Sequence, residues 1–156
     1  MNLKERESRA CAIIDGIQDE LKRISLFLHD NPELGQHEDR AVETISRCMA
    51  QHGFDTAVGL TKRPELRTAM RADIGLERLH KLAFLGEYDA LPELGHGCGH
   101  NLIAIMSMGA AIAFSQTCRD TWGTTFFGCP AEETIGGKVY MAEEGLFRGY
   151  DGALII

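Results

Sequence analysis

Along residues 2–29 the apolar positions Ala10, Ile13, Ile14, Ile17, Leu21, Ile24 and Leu28 recur mainly at steps of three and four. That is the period of one helix face, so the spacing predicts an amphipathic helix stopped by Asp30-Asn31-Pro32. Ala41, Val42, Ile45 and Met49 repeat the pattern from about Glu38 to His52, and Gly53 stands where a helix C-terminal glycine belongs. Short apolar segments predict strands at 54–60, 66–74 and 81–85, the last two joined by a turn around Gly75-Leu76-Glu77-Arg78. Residues 86–99 are too rich in glycine and proline for regular structure. Beyond them the pattern gives an apolar helix from about Asn101 to Gln116, a strand Thr124–Phe127, a helix from about Gly136 to Glu144, and a last strand over 150–156. Helices alternating with short apolar strands predict an α/β layer with a largely covered sheet. The final Ala153-Leu154-Ile155-Ile156 reads as the inside of a buried strand, which leads us to expect a truncated protein.

Composition narrows the class. A chain of 156 residues, 44% hydrophobic and 25% charged, fits one soluble globular domain. A formal charge of −7 and a pI near 5.3, with scattered Lys and Arg, argue against a nucleic-acid partner, which needs phosphates neutralised. Met1–Arg9 is charged and lacks the apolar core of a secretory signal, so a cytoplasmic protein is expected. Leu102–Phe114 is shorter than the roughly 18–20 residues of a membrane span. Five cysteines, odd in number and irregularly spaced, read as reduced and mostly buried thiols rather than a disulfide framework.

Candidate chemistry gathers at three places. Cys98-Gly99-His100 offers a thiolate and an imidazole two positions apart, a donor pair suited to zinc and related metals, and the flanking glycines let the backbone bend so that both converge. The structural alternative packs Cys98 in the core and uses His100 to cap the next helix. Glu132-Glu133, after a strand and Pro130, places two carboxylates at a sheet edge, where one could bind a metal while the other takes a proton from water. A solvated pair capping the next helix is the alternative. In Gly86-Glu87-Tyr88-Asp89-Ala90-Leu91-Pro92 the two acids point the same way if the strand continues, and Asp89 either stabilises a turn or orients a metal-bound histidine. His29 ends a helix, where a positive imidazole is favourable; His37, His52 and His80 read as surface residues, and His96 is oddly spaced for a third ligand. No Gly-x-Ser-x-Gly elbow, phosphate loop or Cys-x-x-Cys pair is present.

Together, Leu28-His29-Asp30-Asn31-Pro32-Glu33-Leu34-Gly35, Gly86–Pro92, His96-Gly97-Cys98-Gly99-His100-Asn101 and Pro130-Ala131-Glu132-Glu133 resemble, in order and approximate separation, the M20 metallopeptidase and amidohydrolase family. The resemblance is to the branch of aminobenzoyl-glutamate hydrolases, aminoacylase-1-like proteins and plant auxin-conjugate amidohydrolases. It implies a partial three-layer α/β/α catalytic domain of a zinc-peptidase-like fold, with residues 1–156 its N-terminal portion and the dimerisation domain and C-terminal catalytic segment outside it. It implies Cys98, His100 and Glu133 as metal ligands, Glu132 as the general base, and Asp89 as an organiser of the site. The cofactor would be zinc or manganese, two ions per complete site, and the substrate an N-acyl amino acid or dipeptide cleaved at its amide bond by a homodimeric enzyme. Two departures stand out: Glu87 replaces the metal-binding histidine of many M20 peptidases, and Asn101 replaces an aspartate, as in the aminobenzoyl-glutamate and aminoacylase-like subgroup. Because two histidine ligands of the family lie outside the chain, weak metal binding and little hydrolysis are expected of it alone. The competing expectation is a non-catalytic truncated relative acting as a binding or regulatory partner, or a broken gene product.

Overall fold

The structure, a computed structural model, describes residues 2–155, so Met1 and the final position of the expected last strand, Ile156, lie outside it. Helix α1 (Leu3–Asp30) opens with a reciprocal cap between Asn2 and Glu5 and ends at the Asn31-Pro32 signal. Helix α2 (Asp39–Gln51) lacks a cap from its own preceding residue; the Glu33 carboxylate instead accepts the N–H groups of Arg40 and Ala41 at 3.1 and 2.9 Å. Strands β1 (Asp55–Val58), β2 (Met70–Ile74) and β3 (His80–Glu87) follow, then α3 (His100–Thr117), β4 (Trp122–Cys129), the short α4 (Glu132–Ile135), α5 (Gly137–Glu143) and β5 (Gly152–Ile155).

The sheet order is β1-β2-β4-β3-β5. β4 runs parallel to β3 and antiparallel to β2, β1 pairs antiparallel with β2, and β5 lies parallel to β3 at the edge. Strand side chains alternate between two cores, as the pleat requires. Met70, Ala72, Phe84 and Phe126 pack under α1, α2 and α3 with Leu28, Ile45, Met108 and Ile112. Ala83, Leu85, Phe127 and Cys129 face the opposite side, where Met141 of α5, Leu66 and Ala69 cover them. Two helical layers thus enclose a mixed sheet, the partial α/β/α arrangement expected.

Several boundaries differ from the sequence expectation. β3 extends through Gly86 and Glu87 because Glu87 still pairs with Cys129 of β4, a tertiary contact that overrides the local glycine signal. The segment expected as a strand from Leu66 starts instead with a 3₁₀ turn, Pro64–Leu66, and only Met70–Ile74 joins the sheet. The helix expected from about Gly136 forms as α5, and a short helix not expected, α4, precedes it, separated from it by Gly136 with φ of +64°. β5 forms but is not buried: with β3 as its single neighbour, Ala153, Leu154 and Ile155 are exposed. All five cysteines are free, yet only Cys48 and Cys129 are buried, and Cys11 is exposed, because it lies off the packed face of α1. His52 is half-buried rather than superficial, pairing with Glu20 at 2.8 Å and so tying α2 to α1. No described helix is long and apolar enough to cross a membrane.

Phe126 of the central strand is fully buried against α3. Replacing it with alanine is expected to lower unfolding free energy by about 3–5 kcal/mol in denaturant titration; a loss below about 1 kcal/mol would show that this core is not close-packed.

Candidate metal centre

Because β3 and β4 are parallel neighbours, they end side by side and release their following loops at the same sheet edge. β3 ends at Glu87 and the loop after it carries Asp89, while Pro130-Ala131 after β4 leads into Glu132 and Glu133 at the start of α4. A 3₁₀ turn, His96–Cys98, then meets Gly99, whose left-handed φ of +85° turns the chain into α3. Residues with a Cβ rarely adopt that conformation, and it is what lets Cys98 and His100 face one point. One donor atom each from Cys98, His100 and Glu133 lie within 4.8 Å of one another. His100 makes no side-chain cap, and both glutamates have partners, Glu133 facing His100 at 3.6 Å and Glu132 pairing with Lys138 at 2.6 Å.

Asp89 organises this group. Its fully buried carboxylate accepts from His100 Nδ1 at 3.0 Å through Oδ1 and from the Glu133 N–H at 3.0 Å through Oδ2. Its backbone carbonyl lies 2.9 Å from the same ring nitrogen. Commitment of Nδ1–H to Asp89 fixes the ring and turns Nε2 towards Glu87 Oε2 at 3.2 Å and Glu133 Oε1 at 3.6 Å. Burial alone would push the Asp89 carboxyl up, but the hydrogen bonds from His100 and the Glu133 N–H, with the imidazolium charge, bring it below its usual range. Burial opposes the His100 charge, yet Asp89 and then Glu87 outweigh it and raise the imidazole above its ordinary value. Burial raises the Cys98 thiol, and the Glu133 charge adds to this.

Glu132 points to a different partner. Lys138 Nζ lies 2.6 Å from Glu132 Oε2 and also pairs with Glu87 Oε1. Burial disfavours the ammonium, but Glu132 and Glu87 more than restore it and hold its pKa above the ordinary value. Sequence reasoning passed over Lys138. The available signal was a lysine in the first turn of a helix, where the macrodipole opposes a positive charge and an acidic partner is required.

His96 is buried without joining the donor group; burial holds its imidazole below the ordinary range, and its Nδ1 has no hydrogen-bond partner among the described residues. His29 is exposed. A thiolate, an imidazole and a carboxylate on one point, with the imidazole braced by Asp89, fit a divalent zinc-like metal, and three protein donors leave coordination positions open.

The chain is thus a mixed sheet between helical layers, with the candidate donors gathered beyond the C-terminal ends of its parallel strands. The chain is similar to metallopeptidases and amidohydrolases of the M20 type. It is 34% identical over 154 residues to Xaa-Arg dipeptidase of Mus musculus, a match covering 92% of this chain and 36% of that protein. It is 34% identical over 145 residues to a p-aminobenzoyl-glutamate hydrolase polypeptide of Escherichia coli, covering 80% of this chain and 29% of that protein. A dinuclear metal-binding peptidase of the M20 family from Bacillus subtilis superposes with a TM-score of 0.75 at 24% identity, over 89% of this chain and 42% of that one. The chain spans about a third of the length of the curated relatives it matches. No family model matches it.

The Asp89–His100 pair sets a pH signature. Asp89, with a folded pKa below its ordinary 3.8, contributes stability that is present above 3.8 and lost as pH falls through the folded value. His100, raised above 6.5, contributes stability that is present below 6.5 and lost as pH rises through the folded value. Asp89→Asn, which cannot accept both donors as a carboxylate does, is expected to destabilise the fold by about 1–3 kcal/mol. In denaturation series, the gap between the unsubstituted chain and this variant should be widest between pH 3.8 and 6.5 and narrow on both sides. A gap independent of pH would contradict the pairing.

Proposed function

We propose that this chain carries the metal-binding and general-base half of a metal-dependent amidohydrolase acting on N-acyl amino acids or dipeptides. The observation that carries this reading is the convergence of Cys98, His100 and Glu133 on one point under the Asp89 clamp, with Glu132 beside it. Cys98, His100 and Glu133 would hold the ion. When bound, zinc or manganese supplies Lewis acidity towards an amide carbonyl.

The chain's own residues account for the remaining tasks. Asp89 keeps His100 in the tautomer whose Nε2 lone pair faces the donor point. Glu132, adjacent to Glu133 yet outside the donor group, is free to take a proton from the attacking water and return it to the leaving amine. Lys138 holds that carboxylate at the mouth of the site, and its charge keeps Glu132 and Glu87 from repelling one another. The relatives' names, a dipeptidase and a p-aminobenzoyl-glutamate hydrolase, share an amide linked to an amino acid, which supports that substrate class. In its longer form the enzyme would act as a homodimer, and five free cysteines accord with a cytoplasmic setting. Three donors from this chain support one ion held loosely and slow hydrolysis at best.

Metal content by mass spectrometry, combined with hydrolysis of N-acyl amino acids and dipeptides in added Mn²⁺ or Zn²⁺, tests the reading. Glu132→Gln is expected to keep the metal and lose about 10²–10⁴-fold of whatever turnover is present, whereas Cys98→Ser holds the metal more weakly. Turnover that survives a chelator or Glu132→Gln, or robust dinuclear activity from these 156 residues, would contradict it.

A further inference from the structure

The motif Asp30–Gly35 and the acid that follows it supply none of the donor atoms, yet they lie directly beneath the site. Glu38, immediately before α2, is 0% exposed. Its Oε1 accepts the Ala131 N–H at 2.7 Å, and its Oε2 accepts the Thr68 hydroxyl at 2.7 Å. Ala131 is itself fully buried and holds φ +57° and ψ 36°, a left-handed conformation that costs a residue with a Cβ about 1–2 kcal/mol. It directly precedes Glu132 and Glu133. Without Glu38, its N–H would be left buried and unpaired.

The surroundings leave this turn little room. A Cβ on Gly35 would come within 2.5 Å of Thr134 Oγ1 and 3.0 Å of Ala131 Cα, so the Asp30–Gly35 segment packs flush against the glutamate turn. The neighbouring Ala90 N–H bonds to the Glu33 carbonyl at 2.8 Å, which ties the Asp89 loop to the same segment. Thr68 also passes the brace on: its carbonyl accepts the hydroxyl of the fully buried Tyr88 at 2.6 Å, one residue before Asp89. Glu33 supplies the cap of α2, which leaves the Glu38 side chain free for this contact.

We infer that Glu38 is a positioning residue: its carboxylate pins Ala131 in the left-handed turn and thereby aims Glu133 at the donor point shared with Cys98 and His100, with Glu132 set beside it. This rests on the metal-centre reading above. The contact does not depend on the charge of Glu38, because the Thr68 hydroxyl can donate or accept and Oε1 stays available to Ala131 in either state. Burial does push the Glu38 carboxyl above its ordinary range, in keeping with a group held for its shape and hydrogen bonds. Glutamine fits the same place, offering Oε1 to Ala131 and its amide to Thr68; alanine offers neither.

Cobalt(II) titration of the full chain tests this, with the thiolate-to-cobalt absorption band reporting Cys98 and far-UV circular dichroism reporting the fold. E38A is expected to weaken cobalt affinity about 10–100-fold and perturb the band, while E38Q restores both to those of the unsubstituted chain. A cobalt affinity and band unchanged in folded E38A would overturn the proposal, even if its unfolding midpoint fell, because a structural role alone moves only the midpoint. Should E38A not fold, hydrogen exchange decides: the Ala131 amide is expected to be strongly protected in the unsubstituted chain and in E38Q, and rapid exchange there overturns the proposal. Absence of the thiolate band in the unsubstituted chain defeats the metal-centre reading and this proposal with it, whereas a band that ignores E38A defeats this proposal alone.

Discussion

The site depends on one buried carboxylate. Asp89 joins two loops that are distant in sequence, one end receiving the His100 imidazole and the other the Glu133 backbone N–H. A carboxylate with no exposure is unfavourable unless its oxygens are satisfied. The donors it needs are a histidine and a peptide group whose own side chains converge on the donor point. Satisfying Asp89 therefore also brings together two of the three residues a metal would use.

The sheet makes this possible. Parallel β3 and β4 place Glu87 opposite Cys129, so the chain leaves both strands at one edge, with acidic residues in both loops. Four carboxylates (Glu87, Asp89, Glu132, Glu133) would repel one another there without compensation. His100 answers Asp89 and Glu87, and Lys138 answers Glu87 and Glu132, which spreads positive charge through the cluster while leaving Glu133 turned towards Cys98. Beneath these ion pairs, the Gly35–Glu38 segment lies against the glutamate turn, with Gly35 packed close to Ala131 and Thr134 and the Glu38 side chain accepting the Ala131 N–H.

Much of this is legible in the sequence because the signals are local. The apolar period of α1 and α2, the Asn31-Pro32 stop, and the glycines flanking Cys98 each fix backbone direction over a few residues; donor chemistry makes Cys98, His100, Glu132 and Glu133 candidates, and only the family resemblance gives them separate roles. What escapes is set by pairing across the fold. Gly86 and Glu87 read as loop yet belong to β3, since β4 supplies their hydrogen bonds. Ala153-Leu154-Ile155 reads as a buried strand yet lies exposed at an edge, because hydrophobicity does not encode how many neighbours a strand has. Lys138 passes for an ordinary lysine until α5 carries it back to Glu132, and Glu38 for an ordinary acid at the start of a helix until its carboxylate is seen against Ala131.

The central claim is that Cys98, His100 and Glu133 share one metal ion. X-ray absorption at the zinc edge of the zinc-loaded chain tests this most directly, since sulfur is distinguishable from nitrogen and oxygen by distance. One sulfur at about 2.3 Å, with nitrogen and oxygen at about 2.0–2.2 Å, is the expected shell, with the sulfur lost in Cys98→Ser. A shell of nitrogen and oxygen alone, or a sulfur that persists in that variant, would contradict it.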